Sequence, residues 1–292
     1  MKIALLGRGL HALALVAAAC ALSVAATTTV NAAAQSGGEM SAQKQEVVDL
    51  LKAIETGAAG PVGVINSKTY IQHNLSGADG LAGFGALLRA LPKGSARVHT
   101  IRVFQDGDRV FAHTEYDFFG PKIGFDIFRF EHGKIVEHWD NLQTTAGPNP
   151  SGHTMTDGPV EAADLGETQA NKTLVRAFVD DILVNGRMDK LEHYIDADSY
   201  TQHNPQIGDG LAGLSTAFQA LAKAGVVLKY DRIHQILGEG NFVLVVSEGA
   251  FGGKPTAFYD LFRVERGRIV EHWDTIETIP PRSEWKNGNG KF

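Results

Sequence analysis

Gly133-Lys134-Ile135-Val136-Glu137-His138-Trp139-Asp140 returns as Gly267-Arg268-Ile269-Val270-Glu271-His272-Trp273-Asp274, and this recurrence decides the architecture. Three further blocks repeat in the same order. Tyr70-Ile71-Gln72-His73-Asn74 returns as Tyr200-Thr201-Gln202-His203-Asn204. Asp79-Gly80-Leu81-Ala82-Gly83 returns as Asp209-Gly210-Leu211-Ala212-Gly213, and Asp126-Ile127-Phe128-Arg129 as Asp260-Leu261-Phe262-Arg263. The shift is 130 residues at the first two blocks and 134 at the last two, so four residues enter between them in the second copy. Solenoid repeats run roughly 20–50 residues. A period this long means a duplicated domain.

Each copy has the same layout. Gln45–Glu55 and Asn171–Val184 carry apolar residues at helical spacing. Asp79 and Asp209 stand where an N-cap would start a helix over Ala82–Leu91 or Ala212–Leu221. Val98–Phe104, Arg109–Tyr116, Gly124–Phe130 and Lys134–Gln143 read as four strands. Helices followed by a meander predict an α+β domain with helices on one face of a curved antiparallel sheet. The expected limits are 44–148 and 169–280, joined by a Gly- and Pro-rich linker over 149–168 and followed by a tail over 281–292.

Lys2 and Arg8, the apolar run Leu10–Ala26 and the small residues Ala32-Ala33-Ala34 predict a secretory signal over 1–34, cut before Gln35. A loose tether is expected over 35–43, and the protein is expected in the periplasm or secreted. The single cysteine, Cys20, falls inside that leader. Disulfides and thiolate chemistry are thereby excluded from the mature chain, with lipidation at Cys20 a minor alternative. The net charge of -6 gives no basic stripe for nucleic acid. Nothing after the leader is apolar for long enough to span a bilayer.

The Tyr-x-Gln-His-Asn block, Asp-x-Phe-Arg and Gly-Lys/Arg-Ile-Val-Glu-His-Trp-Asp together resemble the SnoaL-like polyketide cyclase family of the NTF2-like superfamily. The likeness is nearest to its aldol-condensation branch and covers nearly all of the mature chain, twice. It implies two cone-shaped α+β barrels, each with a deep pocket, and cofactor-free proton transfer on a small, largely apolar carbonyl compound. It also places His73 and His203 at the pocket, with Tyr70 and Tyr200 as proton donors to a carbonyl oxygen. The first copy departs from the pattern at Leu75, where the second has Pro205.

The turn residues Glu131-His132-Gly133 and Glu265-Arg266-Gly267 offer an independent route to the site. A two-residue type I′ turn would need positive φ at His132 or Arg266, which such side chains disfavour. A three-residue loop with a Gly bulge avoids this. It would set Phe130 opposite Lys134, Phe128 opposite Val136 and Asp126 opposite His138. The second copy would set Asp260 opposite His272, with Asp140 or Asp274 two residues along the same face. An apolar setting with a carboxylate beside the imidazole suits general acid/base work. A structural Asp–His pair is the plainer alternative. By alternation His113 and Glu115 share a face in the first copy, where the second has Val246 and Glu248, and these are candidate pocket residues.

The opposite face carries Phe125, Ile127, Arg129, Glu137 and Trp139. An apolar face of this size marks an interface, and the two copies are expected to pair within the chain with Trp139 near Trp273. The Asp-Gly-Leu-Ala-Gly blocks read as helix starts, since no phosphate-loop pattern accompanies them. No metal or cofactor is expected, because His-x-x-x-His spacing is absent. Three functions compete. The first is a cofactor-independent lyase or isomerase of aldol, cyclase or dehydratase type. In it His138 and His272 move the proton, Asp126 and Asp260 orient them, and His73 and His203 polarise the substrate. Asp140 and Asp274 are its candidate bases. The others are a non-catalytic binder of a small apolar ligand and an interaction scaffold.

Overall fold

The computed structural model describes residues 40–91, 94–197 and 199–292. The expected leader with Cys20, and the tether as far as residue 39, lie outside these residues. Ser41 accepts the backbone N–H of Lys44 at 3.2 Å and caps α1 (Ala42–Thr56), so the chain is already helical at 42–43, where a tether was expected. Val47, Leu50 and Leu51 give α1 its buried stripe. There follow α2 (Ala59–Val62), a two-residue strand β1 (Ile71–Gln72) and α3 (Gly80–Ala90). The meander is β2 (Arg97–Asp106), β3 (Arg109–Asp117), β4 (Pro121–Glu131) and β5 (Lys134–Thr144).

The second half repeats this order. Its first helix, α4 (Thr168–Phe178), continues as a wider π turn over Val179–Val184. Then come α5 (Leu191–Tyr194), β6 (Thr201–Gln202), α6 (Gly210–Lys223), β7 (Leu228–Glu239), β8 (Phe242–Phe251), β9 (Lys254–Glu265) and β10 (Arg268–Thr278). The sheets have the same strand order, β1-β5-β4-β3-β2 and β6-β10-β9-β8-β7. Neither is purely antiparallel as expected. β1 and β6 run parallel to β5 and β10, pairing Gln72 with His138 and Gln202 with His272. A two-residue strand has too short a pattern to show in sequence.

The helix starts lie at Asp79 and Asp209, but those carboxylates do not cap the helices. Asp79 Oδ1 accepts the N–H of Gln72 at 3.0 Å and Asp209 Oδ1 that of Gln202 at 2.9 Å. The last glycine of each block is needed for close approach. A Cβ on Gly83 or Gly213 would fall 1.9 Å from the carbonyl oxygen of Ala78 or Gly208.

The hairpin register differs from the expected one. Glu131 pairs with Lys134 and Glu265 with Arg268, which leaves two-residue turns. His132 and Arg266 take φ values of 50° and 48°, and Gly133 and Gly267 take 72° and 71°. Positive φ at both central positions is the type I′ signature, whose twist matches that of the strands. Val136 and Val270 are then bulged out, and beyond them Phe128 faces His138 and Asp126 faces Asp140. In the second half Phe262 faces His272 and Asp260 faces Asp274. The combined shift is two residues, so every side chain keeps its face.

One sheet face packs under its own helices, with Val110, Ala112, Phe128 and Phe130 against Leu50 and Leu51 in the first half. The other faces merge. Phe104, Phe111, Phe125, Ile127 and Trp139 form one buried cluster with Phe242, Leu244, Tyr259, Leu261 and Trp273. Polar contacts cross reciprocally beside it: Leu142 N–H donates to Glu277 at 3.0 Å and Ile276 N–H to Gln143 at 2.8 Å. His113 belongs to this layer, stacked on Phe125 at 4.2 Å and accepting from Arg102 at 2.9 Å.

The expected linker is not a free connector. Asn149 donates to the carbonyl oxygens of Gln202 and Ile207, so the segment after β5 lies on the second half. The segment after β10 crosses to the first half. There Asn289 donates to the carbonyl oxygen of Gln72 and Asn287 to those of Asn74 and Gly77. Each half's Tyr-x-Gln-His-Asn loop is thus covered by the chain leaving the other half.

The two strained turns give a stability test. An Asn at a left-handed position relieves roughly 1 kcal/mol relative to a long side chain. Arg266→Asn is expected to raise the urea midpoint by an amount matching about 1 kcal/mol. A lowered midpoint would show that the turn depends on the arginine.

Candidate functional site

Asp126 and His138 are diagonal neighbours across β4 and β5, and the carboxylate reaches the ring: His138 Nε2 lies 3.1 Å from Asp126 Oδ1. In the second half His272 Nε2 lies 3.1 Å from Asp260 Oδ1. The other ring nitrogen meets a glutamine on the parallel strand. His138 Nδ1 is 2.9 Å from Gln72 Oε1, and His272 Nδ1 is 3.0 Å from Gln202 Oε1.

The glutamine fixes the tautomer. The backbone N–H of Asn74 or Asn204 donates to that same Oε1, at 2.8 and 2.9 Å. The atom is therefore the amide oxygen, an acceptor only. The imidazole must donate from Nδ1. A single proton is then shared between Nε2 and the aspartate, giving either an imidazolium with a carboxylate or a neutral ring with a carboxylic acid. A phenol also donates to the acid: Tyr116 to Asp126 at 2.6 Å, and Tyr230 to Asp260 at 3.2 Å. These tyrosines come from β3 in one half and β7 in the other, so internal repetition gives no sign of them.

Burial alone would depress His272. The hydrogen bond to Asp260 and the charges of Asp274 and Asp260 outweigh it and hold the ring above the usual imidazole value. Burial raises Asp126 despite its bond to His138. Burial also pushes Asp274 up to about 6, against the opposing charge of His272. Asp274 Oδ2 accepts from Asn204 Nδ2 at 2.7 Å, and its buried Oδ1 has no hydrogen-bond partner among the described residues.

Asp260, His272 and Asp274 border a cavity of about 300 Å³ in the second half. Its walls are apolar, with Phe178, Ile182, Leu214, Phe218, Phe251 and Phe262, while Tyr200, Gln202 and Asn204 complete the polar end. Small-ligand sites have this composition and begin at about this size. The Tyr200 hydroxyl accepts from Gln202 Nε2 at 3.2 Å, which leaves its proton free to be donated. Burial raises this phenol well above its ordinary value, so it stays protonated.

The first half builds the same array from Tyr70, Gln72, Asn74, Asp126, His138 and Asp140, with Asn74 donating to Asp140 at 2.5 Å. It differs in what stands beside the second aspartate. Lys291 of the C-terminal segment is buried, pairs with Glu277 at 2.6 Å and brings its ammonium 3.7 Å from Asp140 Oδ1. Its counterpart in the second half, Asp274 Oδ1, has no such cation beside it, and neither oxygen makes a hydrogen bond among the described residues.

Several expected pocket residues lie elsewhere. His73 and His203 sit across the β-layer from the Asp–His pairs. They stack on Trp139 and Trp273 at 4.8 and 4.5 Å and bond Glu137 and Glu271 at 3.0 and 2.8 Å. His113 and Glu115 also face away from the first half's helices. Strand alternation gives that face to Val110, Ala112 and Tyr116, and Glu115 instead accepts from Thr156 at 2.7 Å. Glu248 is half-exposed and bonds Arg232 and His234. Gln and Asn of the loop, expected only to brace a turn, hold the histidine and the second aspartate. Ligand atoms of Asp126, His138 and Asp140, and of Asp260, His272 and Asp274, lie within 4.8 Å of one another, so either set could take a divalent ion in place of its shared proton.

A SnoaL-like domain model matches residues 175–272, so the second half carries a SnoaL-like domain. No curated protein shows significant similarity to the chain. Among solved structures, a SnoaL-like polyketide cyclase from Agrobacterium tumefaciens is similar at 11% identity and a TM-score of 0.30, over 37% of this chain and 91% of its own. An LEH-like epoxide hydrolase from M. tuberculosis is similar at 24% identity and a TM-score of 0.30, over 38% and 85%. An NTF-2 like protein of unknown function from Burkholderia xenovorans is similar at 15% identity and a TM-score of 0.31, over 36% and 86%. With its two mixed five-stranded sheets and their helices, the chain has an α+β fold consistent with two tandem NTF2-like domains.

Proposed function

We propose that the chain is an exported, cofactor-independent lyase or isomerase acting on a small, largely apolar carbonyl compound, with the chemistry in the second half. One observation supports this above the others. Asp274, raised to about 6, has an oxygen without a hydrogen-bond partner and borders an apolar cavity beside a one-proton Asp260–His272 pair.

In this reading Asp274 takes the proton α to the substrate carbonyl. The Tyr200 hydroxyl donates a hydrogen bond to the oxygen as enolate charge develops there. The protonated His272, held by Gln202 and Asp260, offsets the negative charge of the base and the enolate. The enolate can attack a second carbonyl, expel a β-hydroxyl or be reprotonated at another carbon, and Asp274 returns its proton in each case. An apolar wall keeps water from quenching the intermediate. A near-neutral pKa suits a base that must also act as an acid. In the first half the Lys291 ammonium stands beside the corresponding aspartate, 3.7 Å from its Oδ1, and that site is expected to contribute little to turnover.

A panel of aldol, dehydration and enol-isomerisation substrates tests the assignment. Asp274→Asn and His272→Gln should each lower kcat/KM by about 10²–10⁴-fold. His138→Ala should leave it within about threefold, since a factor of that size is under 1 kcal/mol. Equal activity in all variants would remove these residues from the chemistry, and ligand binding without turnover would favour a carrier.

The same aspartate makes a stability prediction. Its folded pKa of about 6 exceeds the ordinary value of 3.8, so the folded chain holds this proton more tightly than the unfolded chain does. Stability must therefore fall as pH rises from about 4 to about 6, by up to about 3 kcal/mol, and then level off. Denaturant titrations across that range should show Asp274→Asn gaining on the parent protein by this margin. A constant difference at all pH values would contradict the raised pKa.

A further inference from the structure

His153, Asp157 and His203 bring two imidazoles and a carboxylate together away from the proton-transfer site, with ligand atoms within 4.8 Å of one another. His203 Nδ1 lies 2.7 Å from Asp157 Oδ1, and His153 Nδ1 lies 3.4 Å from Asp157 Oδ2. Both far nitrogens are bound to carboxylates: His203 Nε2 to Glu271 at 2.8 Å and His153 Nε2 to Asp209 at 3.1 Å. A carboxylate behind each ring fixes the tautomer that frees Nδ1 for a metal, the usual outer arrangement of metal-binding histidines.

We propose that these three residues form a zinc-class divalent-cation site that clips the 149–164 segment onto the second half. Two imidazole nitrogens and a carboxylate oxygen make a borderline-soft donor set, suited to zinc rather than to calcium or magnesium. His203 is 2% exposed and stacked on Trp273, so one ligand is held in advance. Asp157 and His153 have side chains 43% and 33% exposed, which leaves a path for the ion and room to adjust. Tetrahedral zinc needs ligand atoms about 3.3 Å apart. Asp157 Oδ1 must therefore retreat from His203 by about 0.6 Å, and since His153 Nδ1 meets the other oxygen, Oδ2, at 3.4 Å, the half-exposed carboxylate must also turn to present one oxygen to both rings. The ion takes the place of the Nδ1 proton that His203 shares with Asp157 and with the carbonyl oxygen of Thr154, 2.9 Å away.

The surrounding charge accommodates a dication. Three carboxylates, Asp157, Asp209 and Glu271, stand around the two rings, and of these Glu271 is bonded by Arg263 at 2.6 Å, while Arg102 donates to the backbone carbonyl of Asp157 at 2.5 Å. Among the described residues the first half lacks these donors. There the nitrogen equivalent to His203 Nδ1, on His73, meets the carbonyl oxygen of Gly290, and Asn287 and Asn289 cover the loop instead of a histidine and an aspartate.

The test is a calorimetric titration of zinc chloride into the metal-stripped full chain, with cobalt(II) absorption as a second reading. One ion per chain is expected, with release of about one proton and a tetrahedral cobalt spectrum. His153→Ala and Asp157→Asn should each weaken zinc binding by at least about 10-fold. Asp274→Asn and His272→Gln should leave it unchanged, which separates this site from the cavity cluster. Circular dichroism of each variant checks folding, and His153→Ala, at a half-exposed loop position, carries the test alone if Asp157→Asn unfolds. No binding at micromolar zinc, equal binding in His153→Ala, or loss only in the cavity variants would overturn the proposal.

Discussion

The carbonyl oxygen of the Gln202 side chain determines what the candidate site can do. Two backbone N–H groups, from His203 and Asn204, turn it toward His272, and it accepts the Nδ1 proton of that ring at 3.0 Å. Nε2 is left facing Asp260 with one proton for both groups. Asp274 directly opposite Asp260 adds a second carboxyl group to the same enclosed volume, and burial keeps it hard to ionise. The parallel strand β6 exists to deliver this glutamine. It is two residues long and pairs with β10 at His272.

Both halves carry this array, and the chain segments between and after the sheets make the two unequal. The segment after β5 meets His203 with a carbonyl oxygen and a carboxylate, whereas the segment after β10 meets His73 with a carbonyl oxygen alone. The latter also carries Lys291 to Asp140. Two sites with the same catalytic-looking residues thus differ in the charge beside their second aspartate. The merged sheet faces, with Trp139 and Trp273 in one cluster, hold the crossing segments in register.

The α+β class, the strands and the Asp–His proximity were legible in sequence because alternation survives any even shift of register. The turn was not. Sequence reasoning weighed the cost of positive φ at His132 and Arg266 and chose a longer loop, but strand twist favours the primed turn by more than that local cost. The Val136 and Val270 bulges then restored the face of every residue, so Asp126 reaches His138 diagonally rather than head-on. His73 and His203 were misplaced for a related reason. The parallel strands β1 and β6 carry no readable period, and with them Gln72 and Gln202 point to the helix side and the next residue to the other. Tyr116 and Tyr230 occupy unrelated positions in the two halves, so no repeat marks them.

Nitrogen-15 NMR of the His272 ring, read through its long-range proton couplings between about pH 5 and pH 9, tests the shared-proton account most directly. The account predicts that Nδ1 stays protonated throughout while the Nε2 shift alone responds to pH. A neutral ring carrying its proton on Nε2, with Nδ1 bare, would mean that Gln202 does not set the tautomer and would remove the basis for the proton-transfer site.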